Sequence, residues 1–113
     1  GTGNTDTVCP SASYGKWVLL EHANGLSTLY AHLSLIKAVP GQTLATGEMI
    51  GYSGQTGYST GPHLHLSLYV ASAVKVSTVP SISCAGKILK QPIAAINAYL
   101  DPMYYLPKYV PQP

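Results

Sequence analysis

The sequence is short of charge. Only 9% of its 113 residues are Asp, Glu, Lys or Arg, against about 25% in typical globular domains. There is no arginine; all six basic residues are lysines. A net charge of +2, spread without clusters, gives no electrostatic footprint for nucleic acid. No apolar run approaches the ~18 to 20 residues of a membrane span. No signal peptide is present, and the chain opens at Gly1-Thr2-Gly3 without an initiator methionine; it reads as a mature or processed product. Cysteine is scarce too. Cys9 and Cys84 sit in no CxxC or CxxH spacing, which argues against a cysteine zinc site. They are either a disulfide pair or two buried thiols. Low charge with many Tyr, Ser and Thr has an extracellular character, where a disulfide is the expected state.

What is present suffices for one domain with a core: 46% of the residues are hydrophobic. The most informative stretch runs from Gly57 to Tyr69, Gly-Tyr-Ser-Thr-Gly-Pro-His-Leu-His-Leu-Ser-Leu-Tyr. It opens with a turn cluster and closes with strict alternation. On a strand, residues i and i+2 share a face. His63 and His65 therefore project side by side, about 7 Å apart. Leu64, Leu66 and Leu68 take the other face, where a core is expected. Two imidazoles on one strand face suit a metal site or an acid–base pair. They also suit a merely polar strand face, and that reading stays open on these residues alone.

Residues 1–14 read as irregular or edge structure. Lys16 to His22 is strand-like, and Asn24-Gly25 is a strong hairpin signal. Leu26 to His32 returns as the second strand, with Leu26, Thr28, Tyr30 and His32 on one face. His32 ends it, and Leu33 to Lys37 reads as a turn or short helical piece. From Val39 to Gly54 glycine recurs about every six residues, as in a compact β barrel or sandwich. Beyond the His-x-His strand, Ala71 to Val79 holds another strand, and Pro80 to Pro92 reads as a loop around Cys84. Ile93 to Leu100 reads as one or two helical turns. Asp101 to Pro107 is a turn and an aromatic packing segment, and the last residues form a frayed tail.

Taken together, Glu21-His22-Ala23-Asn24-Gly25, Thr28-Leu29-Tyr30-Ala31-His32-Leu33, Gly41-Gln42 with Gly47, Ile50-Gly51, Gly54-Gln55-Thr56-Gly57 and Ser59-Thr60-Gly61-Pro62-His63-Leu64-His65 carry a resemblance. In this order the pieces are far more specific than His-x-His alone. The chain resembles the lysostaphin/LytM-type zinc endopeptidases, which cut peptide cross-links of bacterial peptidoglycan. Asp101-Pro102 with Tyr105-Leu106 also resembles how such domains end. The resemblance implies an all-β, antiparallel barrel-sandwich hybrid (the duplicated hybrid motif) with its site in a groove on one sheet face. It implies one domain over residues 1–107 with a tail at 108–113, and a secreted or cell-envelope location in a bacterium.

Carried over position by position, His65 matches a zinc ligand, and His63 and His32 match catalytic histidines. Zinc needs a neutral imidazole on a rigid strand and brings the pKa of its water towards ~7. A neighbouring histidine then takes a proton or donates to the developing oxyanion. The sequence departs from the family at one point: the other two zinc ligands come from an upstream His-x-x-x-Asp motif, and no such motif exists here. Asp6 has no histidine four residues before it. His22 aligns with a non-ligand position and is assigned a structural or surface role. The chain thus reads as the C-terminal two-thirds of a domain, lacking its N-terminal strands. A zinc site of His32, His63 and His65 is conceivable, but it would displace both catalytic groups.

The remaining candidates have plainer readings. Trp17 is expected in the core. Tyr58, in the loop before His-x-His, is a candidate substrate contact. Glu48 is expected to be solvated, and Ser53 and Ser59 lack a base spaced for a nucleophilic triad. The Val39–Gly51 glycine frame also resembles lipoyl and biotinyl carriers, but their Met-Lys pair is absent. Three functions compete: a zinc endopeptidase of cell-wall peptide, inactive as this chain alone; a non-catalytic wall-binding or regulatory module; and a self-assembling extracellular protein, which pairs through an open sheet edge because little charge opposes it.

Overall fold

The computed structural model describes residues 1–7, 9, 13–59, 61, 63–81, 84, 86–94 and 99–100. The Asp101–Pro107 segment, the boundary at 107 and the tail at 108–113 lie outside the described residues. The described chain is antiparallel β with only two single-turn 3-10 segments, Thr5–Thr7 and Ala71–Ala73. Its strands are β1 (Thr2–Asn4), β2 (Lys16–Glu21), β3 (Leu26–Ile36), β4 (Gly51–Ser53), β5 (His65–Val70), β6 (Val74–Pro80), β7 (Ile88–Ala94) and β8 (Tyr99–Leu100). The main sheet runs β1-β2-β3-β5-β8, with β4 also paired to β3; β6 and β7 form a separate two-stranded sheet. The arrangement is an open β sandwich, and no closed barrel forms among the described residues.

Asn24-Gly25 turns β2 into β3 as the sequence suggests. Gly25 takes φ +82, Asn24 Oδ1 accepts from Leu26 N–H, and His22 N–H donates to the Leu26 carbonyl at 2.8 Å. Beyond the turn, β3 does not end at His32. It continues to Ile36, pairing with β5 over Leu26–Ala31 and with β4 over Leu33–Ile36. The turn or helical piece expected over Leu33–Lys37 is therefore strand. The strand survives because a bulge absorbs the irregularity: Ala31 and His32 together oppose Trp17 between the pairs Val18–Tyr30 and Lys16–Leu33. His32 takes φ +58 there.

Two further expectations fail downstream. Pro80–Pro92 is not all loop, because Ile88 onward forms β7 against β6. Pro92 sits within that strand; in a two-stranded sheet every strand is an edge, where a missing N–H is tolerated. Ile93–Leu100 is not helical at its described ends: Ile93 and Ala94 finish β7, and Tyr99–Leu100 pairs with Leu68 and Tyr69.

Buried residues lie on both faces, Leu68 and Val18 on the expected one, but the larger cluster is on the opposite face. Trp17, Leu29, Ala31 and Tyr69 form the buried cluster, with Tyr14, Leu19, Val74 and Ala94 packed on it. Ala31 pairs with His65 and Leu29 with Ser67, so this cluster shares the histidine face of β5. Of the leucines on the other face, Leu68 is buried, Leu66 half-buried, and Leu64 50% exposed. Trp17 is core as expected, and Gly3 lies against its indole where a Cβ would clash. The other sheet face borders a cavity of about 850 Å³ beneath residues 38–50, lined by Val18, Leu20, Tyr30, Val39, Leu44 and Ile50 among others. A disulfide joins Cys9 to Cys84, with Cα atoms 6.1 Å apart. It covers a second small cluster of Leu89 and Val79.

Candidate active site

Three of the four histidines gather on the core face of the sheet, and His32 is their centre. Its ring centroid lies 4.9 Å from that of His63 and 5.6 Å from that of His65. Regular alternation would put His32 on the side of Tyr30, away from Ala31 and His65. The bulge and its positive φ turn the side chain back. A left-handed histidine is uncommon and strained, so the surrounding structure must hold it. It does so at both ends. His32 N–H donates to the Tyr14 carbonyl at 2.9 Å, and ring Nδ1 lies 2.6 Å from the Thr56 carbonyl. A carbonyl only accepts, so Nδ1 carries the proton and Nε2 keeps its lone pair.

His63 is fixed in the same sense. It bridges to Gly54, its N–H donating to the Gly54 carbonyl at 2.9 Å. Its Nδ1 lies 2.8 Å from the Gly61 carbonyl and 3.2 Å from Ser59 Oγ. The proton again belongs on Nδ1, leaving Nε2 as the basic nitrogen. Ser59, which has no triad role, thus braces this ring; it also donates to the Gly61 carbonyl at 2.7 Å. His65 differs: its Nε2 is 2.8 Å from Ser67 Oγ, and the edge of Tyr14 packs on its ring at 5.6 Å. Burial, followed by the proximity of His32 and His63, lowers the His65 pKa. It stays neutral at ordinary pH, the form in which a histidine ligates metal.

The other candidates separate cleanly. Tyr58 is 76% exposed, and its backbone N–H is anchored to the Ser13 carbonyl at 2.7 Å. His22 stands on the opposite face, lining the cavity, with Nε2 2.8 Å from Thr28 Oγ1. Glu48 is exposed but engaged, accepting from Gln42 Nε2 and the Ala45 N–H in its own turn. Asp6 accepts from Gly57 N–H at 3.1 Å.

Four residues to which the sequence reading gives no role in the site also shape it: Thr56, Ser67, Tyr14, and Asp6, which is weighed there only as a ligand. Thr56 and Asp6 hold the loop beneath His32. Ser67 holds His65, a pairing that period-2 alternation with His65 could have suggested. Tyr14 leads a cluster with Tyr69 and Tyr99. Burial, reinforced by Tyr99, pushes the Tyr14 phenol up to about 12, and burial raises Tyr69 as well. These phenols remain neutral hydroxyls beside His65.

The donors present do not complete a zinc site. Among the described residues, no group of three or more His, Cys, Asp or Glu is arranged to hold a metal ion. The family resemblance matches His65 alone to a ligand position, and the Asp6 carboxylate accepts from the Gly57 amide. A catalytic zinc needs three protein ligands.

The model of peptidase family M23 matches residues 2–77, well over half of the chain. The chain belongs to that family. It is 56% identical over 52 residues to the DD-carboxypeptidase/endopeptidase Mpg of Neisseria meningitidis serogroup B, covering 46% of this chain and 12% of that protein. It is 39% identical over 84 residues to the peptidoglycan DD-endopeptidase ShyA of Vibrio cholerae, covering 74% of this chain and 20% of that one. Among solved structures it matches a variant of the catalytic domain of the prophage-encoded M23 protein EnpA from Enterococcus faecalis. The TM-score is 0.51 at 34% identity, over 61% of this chain and 54% of that one. The chain thus spans a fifth or less of these two curated relatives.

Proposed function

We propose that this chain carries the histidine half of a bacterial cell-wall endopeptidase acting on the peptide cross-links of peptidoglycan. His32 and His63 are its proton-transfer groups, and His65 is one zinc ligand. The observation that carries this reading is the convergence of three imidazoles on one sheet face, with Nε2 of both His32 and His63 left basic by backbone acceptors on Nδ1. Two such nitrogens can take a proton from a nucleophile or, once protonated, hydrogen-bond a peptide carbonyl oxygen. The relatives' names, with their peptidoglycan and endopeptidase activities, support the substrate class. The disulfide fits a secreted or envelope setting. In this reading Tyr58, exposed on the loop before His63, is a substrate contact.

On the ligand count, the 113-residue chain by itself binds cross-linked peptide without cleaving it. Losing two of three zinc ligands removes useful affinity, since even loss of a group orienting a ligand costs about 10- to 100-fold. The test incubates the purified chain with cross-linked peptidoglycan and added zinc, and measures both sedimentation with the wall and new amino termini. Binding without new termini, weakened by His63→Ala, is the expected result. Release of termini that His65→Ala abolishes would contradict the inactivity, and no binding would contradict the function. A self-associating role has a narrower basis: among the described residues, the main sheet ends at the short strands β1 and β8, and β6 and β7 pair only with each other. A mass above 11.9 kDa in dilute solution would support it.

A further inference from the structure

We propose that Thr56 is the positioning residue of His32, holding both the bulge that turns this histidine into the site and the ring itself. At the bulge the β2–β3 ladder is opened, and the Thr56 hydroxyl fills the opening. Its Oγ1 accepts from Lys16 N–H at 3.0 Å and donates to the Leu33 carbonyl at 2.7 Å. Lys16 and Leu33 are the pair at which the register resumes. One side chain, distant in sequence from both strands, thus satisfies a donor and an acceptor that the bulge would leave unpaired. Unpaired buried backbone groups are costly, so the hydroxyl stabilises the left-handed His32 that the strand would otherwise not keep.

The same residue grips the ring. The Thr56 carbonyl accepts from Nδ1 of His32 at 2.6 Å, and this bond sets the tautomer with Nε2 basic. The carbonyl is itself held in place. Gly57 N–H, on the next residue, donates to Asp6 Oδ1 at 3.1 Å. Tyr58 N–H donates to the Ser13 carbonyl. Gly57 and Gly15 lie back to back, both at positive φ, with no room for a Cβ on either. Tyr14, between Ser13 and Gly15, supplies the carbonyl that takes His32 N–H. The 13–15 and 56–58 turns therefore form one clamp around His32, and Thr56 is where it engages the sheet.

The catalytic meaning of this clamp rests on the reading of His32 as a proton-transfer group, but its test does not. The full chain, labelled with 15N, is compared with Thr56→Val, which keeps the shape and removes the hydroxyl, and with Thr56→Ser, which restores it. The readouts are the ring-nitrogen shifts of neutral His32 and the exchange rate of its Nδ1 proton. The wild type and Thr56→Ser should show the Nδ1–H tautomer with a protected proton. Thr56→Val should show mixed tautomers and exchange about tenfold faster or more, roughly the worth of one hydrogen bond, while the β1–β2 amide signals other than that of Lys16, which loses its acceptor, stay in place. A Thr56→Val protein that keeps the single tautomer and the protected proton overturns the proposal. So does a Thr56→Ser protein as altered as Thr56→Val. If Thr56→Val does not fold, Asp6→Ala decides: faster Nδ1 exchange is expected, and an unchanged rate overturns the proposal. A chain that neither binds nor cleaves peptidoglycan would leave these results standing, so the two readings fail separately.

Discussion

The two faces of the central sheet treat the same side chain differently. On one face, His22 sits beside a cavity of about 850 Å³ with a single side-chain partner, Thr28, which in turn donates to Tyr30 OH at 3.2 Å. On the other, His32, His63 and His65 gather above a buried cluster of Trp17, Leu29, Ala31 and Tyr69, and backbone carbonyls orient two of the rings. Imidazoles alone do not distinguish the faces. What does is a bulge on β3 and a pair of apposed turns, which convert a strand position into a fixed, left-handed one. The three-histidine face is built on the core, with His32 buried, His65 half-buried and His63 exposed.

The strongest way to break this contrast is to cut the staple between the sheets. Reducing the Cys9–Cys84 disulfide frees a 75-residue separation, and in the chain-entropy model it should cost roughly 4 kcal/mol. Urea unfolding with and without reductant measures it, and equal midpoints would remove the staple from the account. Next is the core itself. Leu29→Ala, under the histidine face, should cost about 3 kcal/mol, whereas Leu64→Ala, on the leucine face, should cost under ~0.5 kcal/mol. Comparable losses would mean that Leu64 packs as tightly as Leu29 and would remove the contrast.

A smaller effect follows from His65. Its folded pKa lies below the usual 6.5, so the unfolded chain binds the proton more tightly. That contribution is present above about pH 6.5 and is lost as pH falls through 6.5 towards the lowered folded value. Stability measured from pH 8 to 5 should fall on the acid side, less steeply in His65→Gln, and an identical slope in both would refute the shift. The opposite sign applies to Tyr14. Its raised pKa, about 12, makes its contribution complete below pH 10 and lost as pH rises towards 12. Tyrosinate absorbance should show the phenol titrating late, and Tyr99→Phe should bring it earlier.

How much of this was legible in the sequence depended on the range of the determinant. The Asn24-Gly25 hairpin is local, and turn chemistry reveals it; His63 and His65 read as one alternating strand, but β5 begins at His65, and His63 forms an isolated bridge with Gly54. Membership of the His32 position in the site was readable only through resemblance to a family. Its orientation was not readable at all, because the bulge is stabilised by Thr56, which is 24 residues away. Alternation told which leucines share a face with one another but not which face is core; Trp17 on β2 and Tyr14 before it decide that. β7 was hidden because Pro92 reads as a strand breaker, and only the two-stranded pairing makes it tolerable. The absence of a His-x-x-x-Asp motif was legible directly in the sequence.

The most direct test of the central claim is the proximity of the four histidine rings, read by nuclear Overhauser effects in the intact chain. The account predicts contacts from the ring protons of His32 to both His63 and His65, and from Tyr14 to His65, with none from His22 to any of the three. Contacts from His32 to Val18, Tyr30 or Leu66 would place it on the cavity face with His22, and would contradict a bulge-built site.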